Sequence, residues 1–482
     1  MTLAPKGATA LSKRTKVFLA VLVFLIVTLV VIVVVLPRLV NVDRYRPQVA
    51  ALIETQLGWR AMIGHLAFTV FPRLSIRADD FALKNPAGFP QGDFIKARRI
   101  YAVVDVAALW HHQVVIRSLD LEWPAISLLY NLRGKWNSGD PPSPGEVAPD
   151  PPGNKPWFIL GTISNVRINK GNLSMADLLP SGEAGPALVA ADGVTAQLRR
   201  FELNALTEGA QAQNAQDSLV TEGTFEVNTL HVTNLVVTHV KSNLHLFPQR
   251  VLLDGLELRC YDGSAAGDLA FAFGSQNTRY RTQANLRGVN VAKLLEAFPD
   301  VRGKMTGVLG GDVALDGEVS DSPDPLAGMG GAGHLTIRAG RLPTLRLDPN
   351  LLQLFRVAKM GPASGDPYSF SSITMDFTIA RNRIQTTKGA IVGNGVEIDA
   401  TGSLGLAGSG SLDYQGVARL AASDNALTSV LGGLTGATLK GGKMTLPFIL
   451  KGTLKNPQFT LKPSSGSQKG NVSQGARRDT KP

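Results

Sequence analysis

The chain has 482 residues, of which 18% are charged and 6% aromatic, and it contains 50 glycines. This profile favours a large β-rich protein over a disordered or mainly helical one. Cys260 is the only cysteine, which excludes an intramolecular disulfide and a cysteine-based metal site. The net charge is +11, but basic and aromatic residues are not interleaved on one element. We therefore expect no nucleic-acid partner; an ordinary basic surface is the simplest reading, with weak attraction to anionic lipid headgroups as the alternative.

Residues 17–36 form the first predicted element, a run of twenty residues without charge. At about 1.5 Å per residue a helix of this length spans roughly 30 Å, the thickness of a bilayer's hydrocarbon core. The following Pro37-Arg38-Leu39-Val40 offers no small-x-small cleavage site, so we predict a retained single-pass transmembrane helix rather than a signal peptide. Four basic residues precede the run and three follow closely, which slightly favours a cytoplasmic N-terminal segment, residues 1–16.

A short amphipathic helix is predicted directly after this run, over residues 41–58. Its apolar side chains recur at helical spacing, a residue such as Asn41 or Asp43 can cap its start, and Gly58 can end it. The helix either packs on the sheet that follows or rests in the membrane interface.

From Trp59 onward the apolar period changes from 3.6 to 2, which predicts strands up to Tyr130. Residues 138–156 contain seven prolines and almost no apolar side chains, so they predict a linker between an N-terminal helix-plus-β domain at 41–137 and a C-terminal β domain at 157–463. Short helices are predicted near residues 289–300, 348–360 and 423–434. The tail, residues 464–482, is predicted to be disordered.

Three stretches of the C-terminal domain alternate most clearly between apolar and polar side chains. Such alternation predicts strands with one face buried in apolar surroundings and one face in water. The apolar positions are the candidate lining of an apolar surface: Met305, Leu309, Val313, Leu315, Ile373, Met375, Phe377, Ile379, Val396, Ile398, Leu404 and Leu406.

The balance of elements leaves two architectures open. Roughly twenty strand-like segments are predicted, taking about 5–6 residues per strand, and a few short helices cannot cover their apolar faces. The sheet therefore either folds on itself as a sandwich or barrel, or presents its apolar face to a non-protein ligand such as lipid.

Motifs for catalysis or metal binding give no positive signal. The Gly328–Gly333 stretch matches the spacing G-x-G-x-x-G but runs into a strand rather than a helix, so it predicts a flexible turn. His231, His239 and His245 share one parity, but on a straight strand the first two would lie some 26 Å apart, too far for a shared zinc ion. No nucleophile or acid–base arrangement stands out. We expect no catalytic, cofactor-binding or metal-binding residues and a protein that is not an enzyme.

The segment from the apolar run through VNVDRYRPQVAALIETQLGWRAMIGHLAFTVFPRLSIRADDFALKNPAGFP resembles the N-terminal signature of the AsmA family. RGKWN at 133–137 resembles that family's Gly-x-x-Asn turn. GHLTIRAGRL resembles its recurring Gly-strand-Gly turn, and LPFILKGTLKNPQFTLKP at 446–463 resembles its closing strands. The resemblance covers residues 17 to 463, although the middle of this range matches only in its general strand pattern. The linker is Pro-rich, whereas the family's loops are usually Asn/Asp-rich.

This resemblance implies a mainly β protein: an inner-membrane helix followed by a long, curled, mostly antiparallel β-sheet whose concave face forms an apolar groove, with a few short helices. It also implies a periplasmic location in a bacterium with two membranes and a role in phospholipid transport and outer-membrane biogenesis. The implied partners are membrane phospholipids and outer-membrane or periplasmic proteins. The alternative is a non-enzymatic scaffold or assembly factor for outer-membrane proteins, built on a self-packed β-sandwich.

Overall fold

The computed structural model describes residues 42–57, 59–69, 75–105, 108, 114–138, 158–159, 162–202, 219–273, 278–319, 328–342, 369–393, 396–406, 410–421, 438–440, 443–454 and 456–461. Several predicted elements lie outside these residues: the segments 1–16 and 17–36, the linker after Ser138, the helices near 348–360 and 423–434, and the tail 464–482. Among the residues described, no helix combines the length and apolar character needed to cross a bilayer.

The chain divides into two compact units, Met1–Arg259 and Cys260–Pro482. The described residues are mainly β, in mostly antiparallel sheet with few helices, as the alternation predicts. The division does not fall at the predicted linker 138–156, because strands on either side of that linker pair with each other inside the first unit.

The first unit begins with a 3₁₀ turn, Asp43–Tyr45, and helix α1, Arg46–Leu57, which confirms a helix within the predicted range 41–58, although its two sides differ little in hydrophobicity. Ala50 and Ile53 of α1 pack with Trp59 against a buried cluster built on Leu83 and Phe94. The helix therefore packs on the sheet.

The strands of the first unit are β1 Ala61–Met62, β2 His65–Thr69, β3 Ser75–Lys84, β4 Asp93–Val104, β5 Val114–Glu122, β6 Ala125–Tyr130, β7 Phe158–Ile159, β8 Thr162–Leu178, β9 Ala184–Glu202, β10 Thr221–Val232, β11 Leu235–Phe247 and β12 Arg250–Cys260. β1 and β2 pair with different parts of the same edge of β3, and the other edge of β3 pairs with β4. Successive strands from β8 to β12 form antiparallel hairpins.

Strands β5 and β6 both pair with β8 in parallel, β5 at Ser118–Glu122 and β6 at Ala125–Tyr130. Parallel neighbours cannot be joined by a tight turn, because the chain must return to the end of the sheet from which it started. The predicted linker 138–156 lies in the chain between these strands, and all of it except Ser138 is outside the described residues. The strands that flank it belong to the same unit.

Asp43 ties the beginning of the helical segment to strand β2. Its carboxylate accepts a hydrogen bond from the backbone N–H of Leu66 at 2.9 Å and lies 3.2 Å from Nδ1 of His65. Arg46 donates to the carbonyl oxygen of Gly64 at 2.6 Å. The hydrogen bond from Leu66, with the positive charge of Arg46 and the contact with His65, lowers the pKa of Asp43 below its ordinary value of 3.8.

A carboxyl whose pKa is lowered by folding stabilises the folded state when it is ionised, and this contribution disappears as the pH falls through the folded-state pKa. We therefore expect wild-type protein to be more stable than Asp43→Asn by a constant amount above about pH 5, with the difference shrinking toward zero in more acidic solution. Urea unfolding of both proteins between neutral and acidic pH measures this difference. A stability difference that grows on acidification would contradict the assignment.

The strands of the second unit are β13 Gly263–Phe273, β14 Thr278–Asn290, β15 Thr306–Val319, β16 Gly330–Arg341, β17 Ser369–Ala380, β18 Arg383–Gly393, β19 Val396–Gly405, β20 Ser411–Ala421, β21 Thr438–Lys440, β22 Lys443–Thr453 and β23 Pro457–Leu461. Helix α2, Val291–Glu296, and a 3₁₀ turn, Pro299–Val301, lie between β14 and β15. They correspond to the helix predicted near 289–300, although Val289 and Asn290 still belong to β14.

The second unit is an antiparallel meander. Strands β13 to β20 pair in chain order, each with its successor up to the pair β19–β20. Strand β20 then pairs with β22, and β22 also pairs with β21 and β23. Its buried clusters draw their members from neighbouring strands, in one case together with α2.

Candidate functional site

One face of the second unit is apolar across the whole meander. Residues directly opposite each other in a sheet point to the same face, so the strand register can be followed from strand to strand as rows that cross the sheet. Four such rows define what we name the apolar face. The first is Leu269, Thr282, Leu315, Gly331, Ile379, Ile384, Leu404, Leu412, Gly452 and Pro457. The second is Gly267, Ala284, Val313, Gly333, Phe377, Thr386, Gly402, Tyr414, Leu450 and Phe459.

The third row is Ala265, Leu286, Gly311, Leu335, Met375, Gly389, Ala400, Gly416, Phe448 and Leu461. The fourth is Val289, Leu309, Ile337, Ile373, Ile391, Ile398, Ala418 and Leu446. None of the positions in these four rows carries a charged side chain. The first three rows each run across ten strands.

The opposite face of the same strands is polar. One of its rows reads Asn285, Asp312, His334, Asp376 and Lys388. Asn285 donates to Asp312 at 2.6 Å, and Nδ1 of His334 lies 2.5 Å from the Asp376 carboxylate. The two faces therefore differ in kind: one carries paired polar groups and the other carries none that is charged.

The structure brings most of the predicted lining residues together on the apolar face. Nine of them occupy positions in the four rows: Leu309, Val313, Leu315, Ile373, Met375, Phe377, Ile379, Ile398 and Leu404. Val396 begins β19 opposite Leu420 and packs with Ile398 in a cluster around Met444. Leu406 follows the end of β19, where its N–H donates to the Asn382 carbonyl at 2.8 Å.

Met305 and Leu309 differ from the other predicted residues because they lie beneath helix α2. Met305 precedes β15 and packs in the cluster of Leu309, which also contains Val291, Leu294 and Leu295 of the helix. Leu309 is only 8% exposed. The helix therefore covers the part of the fourth row that lies on β14 to β16.

Helix α2 is held at its beginning by Asp262, in the turn between β12 and β13. The Asp262 carboxylate accepts hydrogen bonds from Lys293 at 2.6 Å and from Asn290 at 3.1 Å, and these two donors lower its pKa. Asn290 also caps the helix by accepting from the N–H of Lys293. Polar contacts therefore hold one end of helix α2, which covers part of the fourth row.

The exposure of the other predicted residues in the rows varies. Val313, Leu315, Ile373, Met375, Ile398 and Leu404 are half-buried, whereas Phe377 and Ile379 are buried. The hydroxyls within the second row satisfy one another, since Oγ1 of Thr386 lies 3.0 Å from the Tyr414 hydroxyl. Thr386 is buried, so this pair places no unpaired polar group on the face.

The first unit has an apolar face of its own. One row across it is Phe68, Ile76, Ala102, Leu119, Val166, Leu198, Gly223, Leu244 and Leu253. The next is Leu66, Ala78, Ile100, Leu121, Ile168, Ala196, Phe225 and Ser242. Neither row carries a charge. None of the predicted lining residues belongs to this face.

Two interpretations of motifs change with the structure. Gly328 lies in a turn, but Gly330, Gly331 and Gly333 belong to strand β16, so the glycine-rich stretch is mostly strand. His231 ends β10 while His239 and His245 lie on β11, so the chain does fold back between the first two, contrary to the straight strand assumed. Within the described ranges, no group of three or more His, Cys, Asp or Glu side chains could hold a metal ion.

Asn137 is a structural residue that the sequence pattern did not identify as such. It is completely buried and makes four hydrogen bonds, which include both backbone groups of Leu129. Its side-chain amide donates to Ser127 at 2.7 Å and to Asn85 at 2.8 Å. Asn137, at the end of the RGKWN turn, therefore connects β6 with the loop that follows β3.

Comparisons with known proteins bear on the N-terminal part of the chain. No match to a curated protein or to a solved structure was found. The model of the AsmA family matches residues 11–141, which include α1, β1 to β6 and the turn that ends at Asn137. The match agrees with the resemblance indicated by the N-terminal signature: residues 11–141 of this chain are similar to the AsmA family.

Proposed function

We propose that this protein is anchored in the inner membrane by residues 17–36, that its bulk lies in the periplasm, and that it binds or transfers phospholipid along its apolar faces. In this role it contributes to outer-membrane biogenesis and cell-envelope homeostasis without catalysing a reaction. The observation that carries the proposal is the apolar face of the second unit, whose four rows cross eight to ten strands without a charged position. The AsmA-family match over residues 11–141 supports it.

The dimensions of the apolar face suit acyl chains. Ten strands at about 4.8 Å each extend over about 45 Å, and four rows spaced by two residues extend over about 20 Å along the strands. Each buried methylene of an acyl chain contributes about 0.8 kcal/mol, so an uncharged face holds a lipid tail without specific polar contacts. The headgroup stays in water, where lysine and arginine side chains can meet its phosphate.

The buried clusters favour this function over a self-packed sandwich. In a sandwich, side chains of two stacked sheets interdigitate, so a core cluster joins strands that are not hydrogen-bonded neighbours. The clusters around Phe448 and around Leu309 instead combine adjacent strands, the second together with α2. A scaffold or assembly factor for outer-membrane proteins is therefore the second candidate function.

Site-specific photo-crosslinking in living cells tests the proposal. A photoreactive residue at position 375, on the apolar face, is expected to label phospholipid, because Met375 is half-buried among apolar side chains of that face. The matched control is position 378, which is exposed on the polar face of the same strand. Labelling of protein alone at position 375, or equal lipid labelling at both positions, would reject the lipid function and favour the scaffold.

An alkaline phosphatase fusion after Pro463 tests the location. The enzyme is expected to be active, since the proposal puts everything after residue 36 outside the cytoplasm. A fusion that is produced but inactive would reverse the orientation.

A further inference from the structure

Exposed apolar side chains are concentrated at one end of the strands of the first unit. The end of β6 and the hairpins β8–β9 and β10–β11 lie side by side there, because Tyr130 pairs with Asp177 and Val189 pairs with Val232. In the described part of this unit nine large apolar side chains are exposed, and six of them lie at this end. They form what we name the strand-end patch: Leu132, Trp136, Leu179, Leu188, Val232 and Val236.

The opposite end of the strands in this unit has a different character. Val104 at the end of β4 is 3% exposed, and Val220 just before β10 is 0% exposed. Phe247 at the end of β11 is half-buried, and the exposed side chain in the turn that follows it is the polar Gln249. The exposure of apolar side chains is therefore a property of one end of the sheet and not of strand ends in general.

Leu132 is 73% exposed, and its turn holds it in that position. The Asn131 side chain accepts hydrogen bonds from the backbone N–H groups of Arg133 at 2.9 Å and of Lys135 at 3.0 Å. The turn then ends at the completely buried Asn137. Because hydrogen bonds fix the backbone on both sides of Leu132, the exposure of its side chain is built into the fold.

Aromatic and basic side chains accompany Leu132 in this turn. The Trp136 ring lies 5.0 Å from the Tyr130 ring, and Trp136 is 38% exposed. Arg133 and Lys135 are both exposed. Tryptophan and tyrosine favour the boundary between water and hydrocarbon, and arginine and lysine are attracted to anionic headgroups there. The turn therefore combines the residue types that suit an anionic lipid surface.

The carboxylates at this end of the sheet belong to other elements. Asp177 lies on β8 opposite Tyr130, and Glu183 lies in the turn between β8 and β9; both are exposed. The segment from Tyr130 to Asn137 itself contains two basic residues and no acidic residue. The tip that carries Leu132 is therefore positively charged.

The strand-end patch is long and narrow. It spreads over five adjacent strands, β6, β8, β9, β10 and β11, which at about 4.8 Å per strand extend over about 20 Å. Its members belong to turns and strand ends of separate hairpins, so a partner has to contact a line of side chains. A bilayer surface is extended and adapts its shape, and the proposed anchor at residues 17–36 keeps the chain beside one.

We propose that the strand-end patch docks on the surface of an anionic bilayer, with Leu132 inserted below the headgroups and Arg133 beside their phosphates. This contact is separate from lipid binding by the apolar faces and does not depend on it.

The test uses the full chain reconstituted in vesicles of equal amounts of phosphatidylcholine and phosphatidylglycerol. A photoreactive residue at position 132 is expected to label lipid. Arg133→Gln is expected to lower this labelling about fivefold, the effect of one cation beside an anionic surface. The variant keeps the turn, because Arg133 bonds to Asn131 through its backbone N–H. Vesicles of phosphatidylcholine alone are expected to give at least the same loss.

The matched control is a photoreactive residue at position 249, which is exposed at the opposite end of the strands and is expected to label no lipid. Equal lipid labelling at positions 132 and 249 would overturn the inference. So would labelling at position 132 that depends on neither Arg133 nor phosphatidylglycerol. Labelling of protein alone at position 132 would overturn it as well and would assign the patch to a protein partner.

A photoreactive residue at position 375 reports on the apolar face in the same vesicles. Lipid labelling at position 375 without labelling at position 132 would refute only the docking of the strand-end patch. Lipid labelling at position 132 without labelling at position 375 would support the docking and refute the proposed lipid function of the apolar face.

Discussion

Replacing Met375 by aspartate is expected to reduce phospholipid retention by about a hundredfold, the equivalent of about 2.7 kcal/mol. Met375 lies in the third row, between Leu335 of β16 and Gly389 of β18, with apolar or glycine positions throughout that row. An ionised carboxylate at this point would have to lose its hydration whenever an acyl chain covered it. The expected loss therefore reflects the cost of burying a charge without a partner.

The matched control is Thr378→Asp, three residues further along the same strand and on the exposed polar face. It adds the same charge to β17 but leaves the apolar face unchanged, so retention is expected to stay within about twofold of wild type. Lipid extraction from the two repurified proteins, normalised to protein mass, gives the comparison. Met375→Gln, which is polar but uncharged, is expected to fall between them. Equal retention by Met375→Asp and Thr378→Asp, with both proteins folded, would show that the lipid binds elsewhere.

Replacing Asn137 by alanine is expected to lower the free energy of unfolding of the first unit by about 3–5 kcal/mol. The side chain accepts from the N–H of Leu129 and donates to Ser127 and Asn85, and Asn137 itself has no exposed surface. Alanine would leave three polar groups without partners in a site that is closed to water. Each such group costs about 1–3 kcal/mol.

Urea unfolding followed by far-ultraviolet circular dichroism measures the loss. Asn131 in the same turn is the matched control, because its side chain also accepts two backbone hydrogen bonds, from Arg133 and Lys135, but at the surface. Asn131→Ala is expected to cost only about 1 kcal/mol. Asn137→Asp keeps the acceptor and loses both donors, so it should destabilise nearly as much as alanine. Similar stability of the Asn131 and Asn137 variants would refute the importance of burial.

Alternation along single strands was enough to predict which residues of β15, β17 and β19 share a face. Leu315, Ile379 and Leu404, which lie far apart in the chain, fall in one row because a period of two fixes the face of each side chain. Met305 precedes β15, which begins at Thr306, so no strand pairing assigns it to a row, although it packs in the same cluster as Leu309. Periodicity does not show where a strand begins.

Features that depend on two strands at once could not be predicted. The aromatic ring of Phe377 lies over Gly333 only because the register pairs these positions, and a glycine in a strand gives no sign of its partner. Likewise, the sequence alone predicts the proline-rich segment to be a linker between domains. Only the structure shows that the strands before and after it, β6 and β8, pair in parallel within one unit.

Because the second unit is an antiparallel meander, the length of its apolar face can change by one hairpin at a time. A hairpin inserted between two strands leaves every other strand's direction unchanged and continues the four rows, provided that its own residues alternate in the same way. Each such insertion lengthens the face by about 10 Å, and each deletion shortens it by the same amount. The length of the apolar face is thus set by the number of hairpins, separately from the side chains of any one hairpin.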